Sequence, residues 1–600
     1  MQKVLLTINT KQNVQLGMSL VEVILAVAIF AVISTGVISA IIYGSESTAV
    51  AGARERATKI AEEGIEAVRN IRDSGFINLP SDGTYGLSIV GGIWTLSGST
   101  DTTDIFTRSI ILSTIDSRTR KVDVNVDWKQ TVQRDGNISL NTYLTDWITP
   151  TLISRKGMLV YGDGGTLNDA IKYQIYDEIT GSWTVAASTA DIDSSSTNKY
   201  LRRAQLYSSA TRNEKILVSK HYNGTRQWLY SQIYNGTTET WGNVNLLANW
   251  SSSNYLDTRN FDGTYLSNGD FVVLYSDNTT TPKFKKWNGT SWSTASGSVG
   301  TSTPGTGGIP NYIKLAQRPN TNEAMAILFD ASSDTNSLYF WIGTNGTYET
   351  ADWVLSTEHT NQATNNTRQM ADFTWSSDDT TKGALIYTDS SSDKQMNIKI
   401  WTANGSGSGS WNSTAQYPTS QANNINALAI TAIKGTPNFM ACNKDAAATP
   451  LFICMRANNS GWIALSHTTV SPTTDPGIQI SYSLGFEQIS PTHGIVAYSD
   501  NTDVLKYKKF NIATNAWDNV ATSINIIPAH SMKSVRSIPS PVTNDIVIFA
   551  ADSNRDLFSI IYDGANDSMF TSPAEKAWLG HGTNGSAITD FWFDFAWDGM

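Results

Sequence analysis

The order of apolar and polar positions divides the chain into three stretches with different periods. Residues 1–17 are polar and include Lys3 and Lys11. From Met18 to Ile42 the chain is apolar apart from a few small hydroxyl residues and one carboxylate, Glu22. At about 1.5 Å per residue that run spans a bilayer core as a helix. It turns polar at Gly44 without a breaker. Ala57, Ile60, Ala61, Gly64, Ile65, Val68 and Ile71 then recur at three- and four-residue spacing, which predicts an amphipathic helix that stops at Asp73-Ser74-Gly75. Beyond it the period falls to two. Strands are predicted at 84–90, 92–96, 106–113, 120–130 and 137–144, with Val122, Val124, Val126 and Trp128 on one face and a hairpin turn at 133–137. A small antiparallel sheet laid on the helix's second half is expected.

From residue 150 onward one pattern repeats: an apolar strand ending in Tyr or Phe, a Ser/Asp turn, an aromatic strand, an Asn/Gly turn, and a Trp. Its cores are 159–163 with Trp183, 217–222 with Trp241, 272–277 with Trp292, 326–330 with Trp353, 384–389 with Trp411, 439–445 with Trp462, 496–500 with Trp517, and 547–552 with Trp578. In the unit ending near Trp353 four strands are predicted, at 312–317, 324–330, 337–343 and 351–355. Four short antiparallel strands per unit, repeated around a ring, predict an eight-bladed β-propeller over residues 150–600. The first unit shows little of an inner strand of its own. The carboxyl-terminal segment Asp590–Trp597 resembles Met370–Trp375 of a middle unit, so it is expected to close the first blade. A string of β-sandwich modules is the alternative, and it has no need of that returning strand.

Composition narrows the setting. Of 600 residues only 16% are charged, the formal net charge is -10, and 19 Trp, 23 Tyr and 19 Phe are present. Ser, Thr, Asn and Gly fill the polar positions, as in an extracellular β-rich protein, and a net-acidic chain argues against general nucleic-acid binding. The two cysteines, Cys442 and Cys454, flank 443–453 in one predicted hairpin. They are a candidate disulfide, and two free thiols in strands is the equally weighted alternative. Neither has a His at ligand spacing, so neither a metal nor another cofactor is expected.

The amino terminus carries the most specific motif: basic leader, Gly17, Met18, then Ser-Leu-Val-Glu22 and the apolar run. An ordinary signal anchor does not explain a carboxylate at this depth, which is costly in lipid unless paired, and no small-residue cleavage pattern follows the run. The segment resembles the type IV prepilin family, which includes the pseudopilins of type II secretion. That resemblance implies cleavage by a prepilin peptidase after Gly17 and methylation of Met18 as the new first residue. It also implies pairing of Glu22 with the terminal amine of a neighbouring pilin or pseudopilin subunit. Met18 stands where the family usually has Phe. The resemblance covers about the first 150 residues, specifically in the first 30 and generally beyond. The organisation expected is a leader at 1–17, a transmembrane and assembly helix at 18–43, its amphipathic continuation at 44–74, a small β domain at 75–149 and the propeller at 150–600. By the positive-inside rule everything after Tyr43 lies outside the inner membrane.

Catalytic signatures are lacking: no His-Glu-x-x-His, phosphate-binding loop, nucleophile elbow or sialidase box is present. The recurring Asp163, Asp277, Asp330, Asp389, Asp445, Asp500 and Asp552 are read as turn caps, and the recurring Trp as packing. The expectation is therefore a non-enzymatic minor pilin-like or pseudopilin-like surface protein. It would present its propeller to a surface glycan or protein ligand at a fibre tip or cell surface. A tethered propeller enzyme such as a glycosidase and a priming subunit of a secretion pseudopilus are the alternatives. Acidic and basic side chains converging on the propeller's central mouth would favour the enzyme, and a neutral Ser/Thr/Asn surface adhesion.

Overall fold

A computed structural model of the chain describes residues 19–599 apart from 75, 117–118, 132–133, 146–155, 163–170, 193–198, 253–257, 295–296, 300–308, 331–335, 344–352, 363–368, 389–392, 406, 418–420, 446, 448–450, 464–467, 472–481, 490, 501–503, 525–531, 553–555, 570–575 and 579–590. The chain forms two compact units, Met1–Ile153 and Ser154–Met600.

The first unit is built on one helix, α1 (Leu20–Asp73). Ser19 caps it: its Oγ accepts from Val21 N at 3.3 Å, while the Glu22 carboxylate accepts from Ser19 N at 2.9 Å, a reciprocal capping box. The apolar side chains from Leu20 to Tyr43 are exposed, and this is the one helix among the described residues long and apolar enough to cross a membrane. The second half buries Ala57, Ala61, Gly64, Ile65, Val68 and Ile71, the stripe read from the sequence. It lies on an antiparallel sheet of β1 (Gly83–Val90), β2 (Ile93–Ser97), β3 (Asp101–Thr103), β4 (Phe106–Asp116), β5 (Thr119–Thr131) and β6 (Arg134–Thr145), in the order β2-β1-β4-β5-β6 with β3 beside β4. The helix can approach because Gly64 has no side chain: a Cβ there would stand 3.0 Å from Val124 Cγ1. Buried Arg108 ties sheet to helix, donating to Ile60 O at 2.9 Å and pairing with Asp101 at 2.8 Å. The predicted turn at 133–137 is corrected by the register. Gly136 is a strand residue opposite Trp128, and a Cβ on it would fall 2.2 Å from the indole. The Asp-Gly pair that signals a turn therefore serves ring packing.

The second unit consists of antiparallel sheets of four or five strands, eight of them among the described residues. Sheet 1 places Phe593–Trp597 inside Lys156–Gly162, followed outward by Ile171–Asp177; Phe593 pairs with Tyr161 and Trp597 with Gly157. Sheets 2 to 8 begin at the inner strands Tyr200–Ser208, Phe261–Tyr265, Pro310–Gln317, Ala371–Trp375, Ile425–Ala432, Tyr482–Phe486 and Met532–Pro539. Each sheet buries both faces against its neighbours in a separate apolar cluster. Leu206 and Leu217 meet Met158 and Val160 between sheets 2 and 1, and Phe439 meets Ile386 between sheets 6 and 5. Val547 and Phe549 of sheet 8 meet Leu159 and Phe595 of sheet 1. The carboxyl-terminal strand therefore sits where its likeness to Met370–Trp375 predicted. The recurring Trp183, Trp241, Trp292, Trp353, Trp411, Trp462 and Trp517 all belong to these junction clusters, as the packing reading expected.

Candidate functional site

The inner strands come in two alternating kinds. Those of sheets 1, 3, 5 and 7 have 5 residues, and those of sheets 2, 4, 6 and 8 have 8 or 9. Each long strand has a register shift near its start, at Leu201/Arg203, Pro310/Tyr312, Ile425/Ala427 and Met532/Ser534. A bulge of this kind bends a strand and re-aims a side chain. Here it turns the backbone of each long strand toward the short strand before it. Ala204 N donates to Phe591 O at 3.0 Å, Ile313 N to Arg259 O at 2.7 Å, and Leu428 N to Gln369 O at 3.0 Å.

A side chain from the second position of each short strand completes the link. Asp594 accepts from Leu206 N at 2.8 Å, Asp262 from Leu315 N at 2.8 Å, and Asp372 from Ile430 N at 3.1 Å. In the last pair Ser483 Oγ accepts from Ser537 N at 2.8 Å. The sheets are thus linked two by two. All three carboxylates are buried, and a buried acceptor bonded to a backbone N–H is more costly to lose than to form.

Each carboxylate also meets a cation or a polar relay from the sheet before it or from the residues just ahead of its own strand. Lys314 Nζ lies 3.4 Å from Asp372, Arg259 lies 2.6 Å from Asp262, and Arg536 pairs with Asp594. Tyr207 donates to Asp262 at 2.8 Å and also contacts Gln205. Arg536 and Arg203 lie 4.6 and 5.6 Å from the Phe591 ring centroid. Burial, reinforced by Asp262, pushes the Tyr207 phenol well up, and burial with Asp372 does the same for Tyr312, so both stay neutral. The pattern has one exception. Where the other pairs have Asp, sheet 7 has Ser483; where Gln205, Lys314 and Arg536 precede the bridged N–H, sheet 6 has Ala429. Carboxylate and cation are missing together, as expected if each is present for the other.

Beside this network, the carboxyl ends of the inner strands of sheets 2, 3 and 4 enclose an open depression of about 860 Å³, lined by residues that include Tyr207, Thr264, Tyr265, Ser267, Gln317 and Asn320.

The residues singled out from the sequence fall as follows. Gly17 and Met18 lie outside the described residues. Glu22 is described, in its capping box. Cys442 and Cys454 face each other across two strands and are joined in a disulfide with Cα atoms 4.0 Å apart. Of the recurring acids, Asp277, Asp445 and Asp552 accept from turn N–H groups two to six residues on, as capping predicts. Asp163 and Asp389 lie outside the described residues. No cluster of three or more metal-ligating side chains occurs among the described residues. Sequence reasoning missed the linking set Asp262, Asp372 and Asp594. A signal existed in the related pentads Phe261-Asp-Gly-Thr-Tyr265, Ala371-Asp-Phe-Thr-Trp375 and Phe593-Asp-Phe-Ala-Trp597.

The second unit is a β-propeller, mainly β with small antiparallel sheets around an axis. No family model and no curated protein matches the chain. Among solved structures it is similar to a lectin from Burkholderia pseudomallei at 13% identity, covering 61% of this chain and 97% of that one, with a TM-score of 0.41. It is similar to the periplasmic gluconolactonase of Pseudomonas aeruginosa at 10% identity, covering 62% and 95%, with a TM-score of 0.35. The propeller domain of the Trilobed protease from Pyrococcus furiosus matches at 11% identity over 65% and 99%, with a TM-score of 0.34. These likenesses concern fold alone. They correct one expectation: the exclusion of enzymatic activity does not stand, because the similar structures include a gluconolactonase as well as a lectin. A missing sequence motif cannot exclude chemistry on a fold that carries both.

Proposed function

We propose that the chain is a prepilin-like, membrane-anchored protein that presents an eight-bladed propeller, closed by its carboxyl-terminal strand, outside the inner membrane. The observation that carries this reading is Glu22, the sole carboxylate of a long exposed apolar helix segment, five residues after Gly17. A disulfide between Cys442 and Cys454 supports the oxidising side of the membrane for the propeller. In the prepilin reading, peptidase cleavage at Gly17–Met18 leaves a terminal amine that a neighbouring subunit's Glu22 neutralises. The capping box adds a constraint, because the same carboxylate already serves its own helix.

Two variants separate these roles. Glu22→Gln retains a side chain able to cap but removes the charge, whereas Glu22→Ala removes both. If charge drives subunit association, both variants leave the assembled fraction after cross-linking in membranes. Wild-type assembly by Glu22→Gln, or native protein whose mass retains the leader, refutes the reading.

A second reading, a tethered propeller enzyme, is favoured by one observation: Arg259, Lys314 and Arg536 pair with Asp262, Asp372 and Asp594 at the inner strands. That is the mixture of acidic and basic groups a catalytic mouth requires. Turnover of sugar lactones or aryl glycosides by the full-length protein, lost in Asp372→Asn, would support it; turnover unchanged in that variant would count against it.

A further inference from the structure

We infer that the depression at the carboxyl ends of the inner strands of sheets 2, 3 and 4 binds a neutral, hydroxyl-rich ligand, of the chemistry of an uncharged oligosaccharide. This deepens the reading of the propeller as a ligand-presenting head and rests on it. The depression, about 860 Å³, is of the size of small-molecule sites. Among the described residues, no ionisable side chain other than the two tyrosines lines it. Its polar groups are hydroxyls and amides, including Thr264, Ser267, Gln317 and Asn320, and its aromatic lining is Tyr207 and Tyr265. Sugar rings present that combination in complement: hydroxyls around an edge and C–H groups on a face.

The charges nearby are withheld from the depression. Tyr207 directs its hydroxyl to Asp262 at 2.8 Å, and Tyr265 directs its own to Glu214 at 3.0 Å. Arg212, whose guanidinium lies 6.0 Å from the Tyr265 ring centroid, is itself paired with Glu214 at 2.7 Å. Both tyrosine rings rest on Phe271, with centroids 5.1 and 5.0 Å away. With hydroxyls tethered and rings supported, the two aromatics are held in place and lose little side-chain entropy on binding. Burial, with Glu214 reinforcing it, pushes the Tyr265 phenol well up, so the wall stays neutral. Gln317 donates to Ser267 Oγ at 3.0 Å, holding two of the polar groups in register across the gap between sheets 3 and 4.

The test uses full-length protein in detergent, titrated calorimetrically with maltotetraose, cellotetraose, chitotetraose and, as the anionic probe, tetragalacturonate. Ser267→Trp fills the depression from its exposed rim. Thr264→Val deletes one hydroxyl with little change of shape, and circular dichroism checks the fold of both. At least one neutral probe should bind the wild type. That binding should vanish in Ser267→Trp and weaken in Thr264→Val by about two- to tenfold, the span expected for one hydrogen bond. No neutral binding, binding indifferent to Thr264→Val, or preference for tetragalacturonate overturns the inference. Glu22-dependent assembly is read separately on the same preparations. Failed sugar binding with intact assembly sinks only this inference, and the reverse outcome sinks only the anchor.

Discussion

Replacing Asp372 tests whether the paired sheets are held by their inner-strand carboxylates. Asp372→Ala removes the acceptor of Ile430 N, leaving a buried N–H without a partner at a cost of about 1–3 kcal/mol. It also strands Lys314, but that side chain is a quarter exposed and can turn to water, so the lost ion pair adds at most about 1 kcal/mol. The total is about 1–4 kcal/mol. Asp372→Ser should cost less, since Ser483 makes the same link at 2.8 Å in the last pair of sheets. The natural partner of Ser483 is Ala429, so Lys314→Ala should relieve part of the damage in Asp372→Ser. The double variant is then less destabilised than the sum of the singles, by about 0.5–1 kcal/mol of coupling between contacting residues. Urea midpoints followed by tryptophan fluorescence, in one detergent at one pH, measure the wild type and all four variants. Strict additivity, or Asp372→Ala within about 0.5 kcal/mol of wild type, would show that apolar packing alone joins sheets 5 and 6.

Three other perturbations have defined outcomes. Burial lifts the Asp545 carboxyl to about 6, with neighbouring Glu178 adding to the rise. A folded-state pKa above the unfolded value means the protonated form is favoured by folding. Its contribution is full below about pH 4 and is lost as pH rises through about 6. Asp545→Asn should therefore match wild type near pH 4 and melt higher near pH 7; a constant difference across that range contradicts the assignment. Changing both cysteines to Ser should lower stability by about 2–3 kcal/mol, the loop-closure value for a bridge of this short separation. An unchanged urea midpoint would argue against a formed bond. Gly157→Ala places a Cβ 1.9 Å from the Phe595 ring and should dislodge the carboxyl-terminal strand. The check is limited proteolysis, and a terminus as resistant as wild type means the strand is held elsewhere.

The local pattern was enough for several elements because it fixes which faces are apolar. The stripe from Ala57 to Ile71 and the alternation from Val122 to Trp128 each appear as the buried face of α1 and β5. The repeated strand–turn–Trp units appear as sheets for the same reason, since a short β unit cannot bury two apolar faces without neighbours. The returning strand was legible because Phe593–Trp597 and Ala371–Trp375 share an aromatic and acidic spacing. Other features depend on contacts between residues far apart in the chain. Gly136 reads as a turn until Trp128 is seen across the sheet. Cys442 and Cys454 become a bond only once the register sets them opposite each other. The linking role of Asp262, Asp372 and Asp594 exists only where the bulged long strands present their N–H groups. The depression between sheets 2, 3 and 4 gathers side chains spread from Leu206 to Asn320. The sequence alone determined the helix, the strand periods and the repetitive character of the second unit, because those follow from spacing within one segment. Tertiary structure decided the pairing of sheets, the charge links and the neutral depression, because each exists only where separate segments bring donors, acceptors and rings within reach.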